Sequence, residues 1–150
     1  MTNKGAILLV EDNPSDEKLT LRALRKCNLK NDVIVVRDGP EALDYLFCEE
    51  KYKSRDITDV PSIVLLDLKL PKIGGLEVLK RIRADKRTRL QPVAILTSSD
   101  EENDIISSYQ LGANCYIRKP VDFTQFIETI EQLGIFWTIL NEPPPQPKRN

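Results

Sequence analysis

Five short apolar runs, Ala6–Val10, Val33–Val36, Ile63–Leu66, Val93–Leu96 and Cys115–Ile117, recur along the chain without the alternation expected of a sheet with one wet face. Continuous runs of this length suit strands covered on both sides, as in a parallel sheet. The stretches between them carry helical spacing. Val78, Leu79 and Ile82 form one apolar face, Ile105, Ile106 and Tyr109 another, and Phe123, Phe126, Ile127 and Ile130 the longest. Start signals agree, with Asn13-Pro14, Gly39-Pro40-Glu41, Ser99-Asp100 and Asp122 each standing before or at the opening of a helical stretch. Strands alternating with helices predict an α/β fold, a doubly wound parallel sheet with helices on both faces. The polar connection Cys48–Val60 reads as an exposed loop, and Asn141–Pro147, with four prolines, as an extended tail.

In such a sheet, ligands bind outside the carboxyl ends of the strands. The residues there are therefore the informative ones. The first run ends in Glu11-Asp12, the third in Asp67, the fourth in Thr97-Ser98-Ser99 and the fifth in Arg118-Lys119-Pro120. Three carboxylates converging on one edge repel one another unless a cation compensates. Mg²⁺ does this with one or two carboxylates, waters and a substrate phosphate. A carboxylate beside the ion can then act as a nucleophile toward phosphorus. Lys119 and Thr97 would supply a point charge and a hydroxyl for the equatorial phosphoryl oxygens. Each residue alone has a plainer reading: Asp12 and Thr97 as helix caps, Lys119 as a solvated charge, Tyr116 as a core aromatic. Their joint occurrence at successive strand ends is what favours chemistry.

Composition narrows that chemistry. The chain of 150 residues contains no histidine, so it offers no Ser-His-Asp triad, no histidine metal cluster and no phosphohistidine of its own. A formal net charge of −1 shows no bulk attraction to nucleic acid or to an anionic membrane. No apolar run approaches the ~20 residues of a membrane span. The N-terminus leads directly into the first strand without space for a signal peptide, so a cytoplasmic location is expected. Cys27, Cys48 and Cys115 have no C-x-x-C pairing and read as reduced thiols.

The assembled motifs resemble the response-regulator receiver domains of two-component signalling. They are ILLVEDNPSD, VLLDLKLPKIGGLEVL, AILTSS and LGANCYIRKP, and the resemblance covers roughly residues 5–133, leaving 134–150 as an apolar segment and Pro-rich tail. It implies a flavodoxin-like sheet in the order 2-1-3-4-5. It implies that Asp67 is the phosphoacceptor attacking the phosphohistidine of a sensor histidine kinase. Glu11, Asp12 and Asp67 would hold Mg²⁺ together with the backbone carbonyl of Lys69. Thr97 and Lys119 match the phosphoryl-sensing pair, and Tyr116 the aromatic that changes rotamer with Thr97. Lys119-Pro120 resembles the family's cis peptide. The Glu-Asp pair replaces the Asp-Asp of many relatives. The Cys48–Val60 loop and the ending FWTILNEPPP resemble the small stand-alone regulators paired with cyanobacterial phytochromes, which suggests a phytochrome-type kinase as partner.

Rival chemistries fit less well. A haloacid-dehalogenase-type phosphatase needs a second Asp two residues after the nucleophile, where this chain has Lys69. A flavodoxin-like FMN carrier needs a first loop that welcomes phosphate, and this one reads Glu11-Asp12-Asn13-Pro14-Ser15-Asp16-Glu17. No G-x-G-x-x-G follows the first strand, which removes a dinucleotide site. A degenerate receiver that docks without phosphorylation remains the most serious alternative. No DNA-binding or catalytic module is recognisable after the fifth unit, so output is expected through protein contact. The run Ile135-Phe136-Trp137-Thr138-Ile139-Leu140 leaves apolar surface beyond the expected end of the core at Leu133. The segment can fold back on its own domain or form a kinase-docking surface, but the favoured cover is a second copy of the chain, in a two-fold homodimer built by the last helix and this segment.

Overall fold

A computed structural model describes residues 5–146. Strands β1 (Ile7–Val10), β2 (Val33–Val36), β3 (Ile63–Leu66), β4 (Val93–Thr97) and β5 (Cys115–Arg118) alternate with helices α1 (Pro14–Lys26), α2 (Gly39–Leu46), α3 (Gly75–Ala84), α4 (Glu102–Gln110) and α5 (Phe123–Ile135). The sheet is wholly parallel in the order β2-β1-β3-β4-β5, as expected. β1, β3 and β4 are buried throughout, whereas the edge strands β2 and β5 are mostly half-buried. Successive side chains leave a strand on opposite faces. Accordingly Leu8, Val10, Val64, Leu66 and Ile95 pack with α2 and α3, while Ile7, Leu9, Ile63, Leu65 and Leu96 pack with α1 and α5. That division is why the runs read as continuous rather than alternating.

Capping fixes the helix starts. The Asn13 side chain accepts from the amides of Ser15 and Asp16, Asp38 accepts from Glu41, and Asp122 from Gln125. α4 departs from expectation. It begins at Glu102, and Ser99 instead donates its hydroxyl to Asp104 at 2.6 Å. The small Ser108 faces the interior, so Ile106 and Tyr109 stand exposed rather than forming a core face. Phe123 is exposed too, capped by the Arg22 guanidinium 5.7 Å from its ring.

The Cys48–Val60 connection is tied to α2 and not free. It carries a 3-10 turn at Glu50–Tyr52, and the Tyr52 hydroxyl donates to Glu41 at 2.9 Å. Arg55 lies 3.9 Å over the Tyr45 ring and donates to the carbonyls of Tyr45 and Asp59.

Gly134, a residue that often ends helices, does not end α5. It lies where α5 crosses α1, and a Cβ there would come within 3.0 Å of both Leu24 and Leu29. Close approach of the two helices, not chain reversal, accounts for the glycine. The chain then widens into a π-helical segment, Phe136–Leu140, which closes with the Asn141 amide on the Phe136 carbonyl at 2.7 Å. This segment sends Trp137 and Thr138 into the core but leaves Phe136, Ile139 and Leu140 outside. Packing therefore continues past residue 133. Asn141–Gln146 has no regular structure, and Pro147 lies outside the described residues. No described helix is long and apolar enough to cross a membrane.

Candidate functional site

The turn after β1 begins the site. Glu11 continues the line of β1, its amide bonded to the Val36 carbonyl at 3.0 Å, and its side chain is only 1% exposed. Asp12 follows, exposed, before Asn13 turns the chain into α1. Asp67 sits at the end of β3, where its amide donates to Val10 at 3.2 Å. These bonds bring the two acidic strand ends side by side. Carboxylate oxygens of Glu11, Asp12 and Asp67 lie within 4.8 Å of one another.

Lys119, one residue past β5, reaches across to this cluster. Its amide donates to the Thr97 carbonyl at 2.7 Å, which fixes its backbone to the end of β4. Its ammonium meets Glu11 at 2.7 Å, Asp16 at 2.8 Å and Asp67 at 2.9 Å. A lysine has three donors, and here each finds a carboxylate. Burial works against the charge, but the hydrogen bonds that the ammonium donates to Asp16, Asp67 and Glu11 more than offset it, and the Lys119 pKa is raised. Glu11 moves the other way in stability terms. Burial pushes its carboxyl up to about 7, although the Lys119 hydrogen bond and charge pull it down. One ammonium shared by three acids cannot compensate them all, and the most buried acid carries the deficit.

That deficit is what a cation would remove. Three convergent oxygen donors, one of them buried and hard to ionise, fit a hard divalent ion such as Mg²⁺. The Lys69 amide donates to Asp67 at 3.2 Å, which turns the backbone after β3 around the Asp67 carboxylate.

Thr97 ends β4, fully buried, its hydroxyl oxygen accepting from the Ser99 amide at 3.4 Å. Tyr116 on β5 is half-buried, and its hydroxyl donates to the Ser99 carbonyl at 2.9 Å. The Thr97–Ser99 turn is thus held from both sides. The peptide bonds of the described residues are all trans, that between Lys119 and Pro120 included, which departs from the cis bond expected there. Trans is the lower-energy form of an X-Pro bond by ~0.5–1 kcal/mol. Sequence reasoning singled out every one of these side chains except Asp16. The signal for Asp16 was available in its position, three residues after a capping Asn and one turn above the acidic pair.

An acidic cluster and a buried lysine at the carboxyl edge of a parallel doubly wound sheet define the receiver class of signalling domains. Residues 7–131 match the family described as the response regulator receiver domain, and the chain belongs to it. Among curated relatives, response regulator Rcp1 of Synechocystis sp. is 35% identical over 131 residues, 87% of each chain. The crystal structure of the Mn²⁺-bound form of Rcp1 superposes with a TM-score of 0.87 at 34% identity, covering 93% of this chain and 99% of that one. The phosphorylated cyanobacterial phytochrome response regulator RcpA also gives 0.87, at 38% identity over 93% of this chain and 98% of its own. The bacteriophytochrome response regulator RtBRR is 55% identical with a TM-score of 0.75, over 94% of this chain and 84% of its own.

Proposed function

We propose that the chain is a phytochrome-linked response regulator that accepts a phosphoryl group on Asp67 from a sensor histidine kinase in the cytoplasm and signals by protein contact. The observation that carries the reading is Lys119, whose ammonium lies 2.9 Å from Asp67 and 2.7 Å from Glu11 inside an acidic cluster. A structural ion pair would need one acid. This arrangement holds a cation beside a surplus of carboxylates, as phosphoryl transfer requires.

In the reaction, a carboxylate oxygen of Asp67 attacks phosphorus. The P–O bond forms as the P–N bond to the kinase imidazole breaks, and the imidazole leaves to take up a proton. Lys119 and Thr97 receive the phosphoryl oxygens through an ammonium and a hydroxyl. Glu11, Asp12, Asp67 and the Lys69 carbonyl would hold Mg²⁺, which when bound would supply neutralisation of the transferring group. Movement of Thr97 toward the new anion breaks the balance at Ser99 and releases Tyr116 to another rotamer. The chain thereby contributes to its own phosphorylation and dephosphorylation without being a conventional enzyme. The phytochrome assignment is supported by likeness to Rcp1, RcpA and RtBRR.

The receiver unit is taken as residues 5–133, and 134–150 as a C-terminal segment in which Trp137 and Thr138 pack into the core while its remaining apolar side chains face outward. Ile135, Phe136, Ile139 and Leu140 are 39%, 47%, 45% and 69% exposed, which supports a homodimer formed by α5 and this segment. The test of the function is phosphotransfer from autophosphorylated histidine kinases, a phytochrome-type kinase among them, to the purified chain with Mg²⁺. Label should move to the wild type and not to Asp67→Asn. Equal transfer to both would remove Asp67 from the role.

A further inference from the structure

Asp16 occupies the third position of α1, after Asn13 as N-cap. An acid there ordinarily turns back to the N-cap amide, closing a capping box, or sits free in the field of the helix N-terminus. Neither happens. The Asn13 amide is already taken by Glu11 Oε2 at 3.2 Å. The Asp16 carboxylate instead crosses to Lys119 Nζ at 2.8 Å, bridging residues 103 positions apart. Lys119 itself is 7% exposed and its backbone is bonded to Thr97, so the ammonium has little freedom of its own.

The three partners of Lys119 are not equivalent. Glu11 and Asp67 belong to the cluster of carboxylates that can hold a divalent ion, and Asp16 does not. Binding the ion and accepting the phosphoryl group commit oxygens of Glu11 and Asp67. Only Asp16 is free to keep its bond to Lys119 through both events. We propose that Asp16 is a positioning residue for Lys119: it retains the ammonium when Glu11 and Asp67 are engaged, and so keeps its remaining donors aimed at the phosphoryl group. This rests on the metal and acceptor roles given above.

The proposal makes the effect of Asp16 conditional on the ion. In the metal-free protein, Glu11 and Asp67 hold Lys119 whether or not Asp16 is present. With Mg²⁺ bound, Asp16→Ala leaves Lys119 without a carboxylate of its own. Reductive methylation with formaldehyde and borohydride, followed by peptide mass spectrometry, reads the freedom of each lysine, and the other lysines serve as internal standards. In saturating Mg²⁺, Lys119 of Asp16→Ala should react roughly tenfold faster than in the wild type, the loss of one charge-assisted bond. Without Mg²⁺ the two should differ by less than about twofold. Asp16→Glu, which keeps a carboxylate in reach, should restore protection. Equal Lys119 labelling in the two proteins with Mg²⁺ would overturn the proposal, as would an increase of the same size with and without the ion, the mark of a merely structural residue. Calorimetric titration with Mg²⁺ separates the two levels of the argument. A wild type that binds no Mg²⁺ overturns the metal site and this inference together, whereas normal binding with unchanged labelling overturns the inference alone.

Discussion

Gly75 opens α3 directly beneath Asp67, and a Cβ on Gly75 would lie 2.3 Å from the Asp67 carbonyl oxygen. The Gly75 amide also donates to the Leu68 carbonyl at 2.9 Å, so the turn that carries Asp67 is folded onto the start of the helix. Space for this exists only without a side chain. Gly75→Ala should push the β3–α3 turn outward and cost about 1–3 kcal/mol, the cost of a backbone shift in a packed interior. Urea unfolding measures it, and a loss under about 0.5 kcal/mol would show that the turn has slack.

The proposed function separates attack from readout. It gives the reacting oxygen to Asp67, while Thr97 ends the neighbouring strand with its hydroxyl 3.4 Å from the Ser99 amide. Thr97→Ala should therefore still accept phosphate but lose much of its coupling to a partner, about 1–3 kcal/mol. The affinity ratio for a partner, phosphorylated against unphosphorylated, is the measurement. An unchanged ratio would take Thr97 out of the switch.

Glu11 gives the metal-free protein a defined pH dependence. Its carboxyl is raised from 4.5 to about 7, first by burial. A raised acid is stabilising while protonated, so this contribution is complete below pH 4.5 and is lost as pH climbs through about 7. Glu11→Gln removes the ionisation. In chelator, the stability of Glu11→Gln relative to wild type should grow across that window by on the order of 3 kcal/mol and level off above it. Chemical unfolding at a series of pH values checks this, and a pH-independent difference would place Glu11 in a more polar setting.

Much of this was legible in the chain because strand ends were legible. Continuous apolar runs located all five strands, and the parallel order placed Glu11, Asp12, Asp67, Thr97 and Lys119 on one edge. What escaped depended on tertiary crowding. The spacing of Ile105, Ile106 and Tyr109 marks an apolar face, but Ser108 is the residue that α4 buries. Gly134 looks like a stop signal, yet its lack of a side chain serves the crossing of α1 and α5. Asp16 has the spacing of a capping acid, and only the fold shows Glu11 taking its usual partner. In each case a neighbour distant in sequence decided between two readings that were locally equal.

The C-terminal segment calls for a surgical test. Cutting the chain after Gly134 would remove Trp137 and Thr138, both part of the core, and so would confound dimerisation with stability. Ile139 and Leu140 are exposed and make better probes. The double variant Ile139→Asp with Leu140→Asp should change the unfolding free energy of the monomer by no more than about 0.5 kcal/mol while shifting dimer to monomer. Sedimentation equilibrium is the readout. A wild type that stays monomeric at high concentration, with and without phosphorylation, would contradict the dimer.

The central claim is that Asp67, at the focus of Glu11, Asp12 and Lys119, is the phosphoacceptor. Intact mass after exposure to acetyl phosphate and Mg²⁺ tests it most directly, with no kinase needed. The wild type should gain one phosphoryl group, and neither the Asp67→Asn variant nor the wild type in chelator should gain any. A gain in Asp67→Asn at the wild-type rate, or a wild type that never changes mass, would contradict the account.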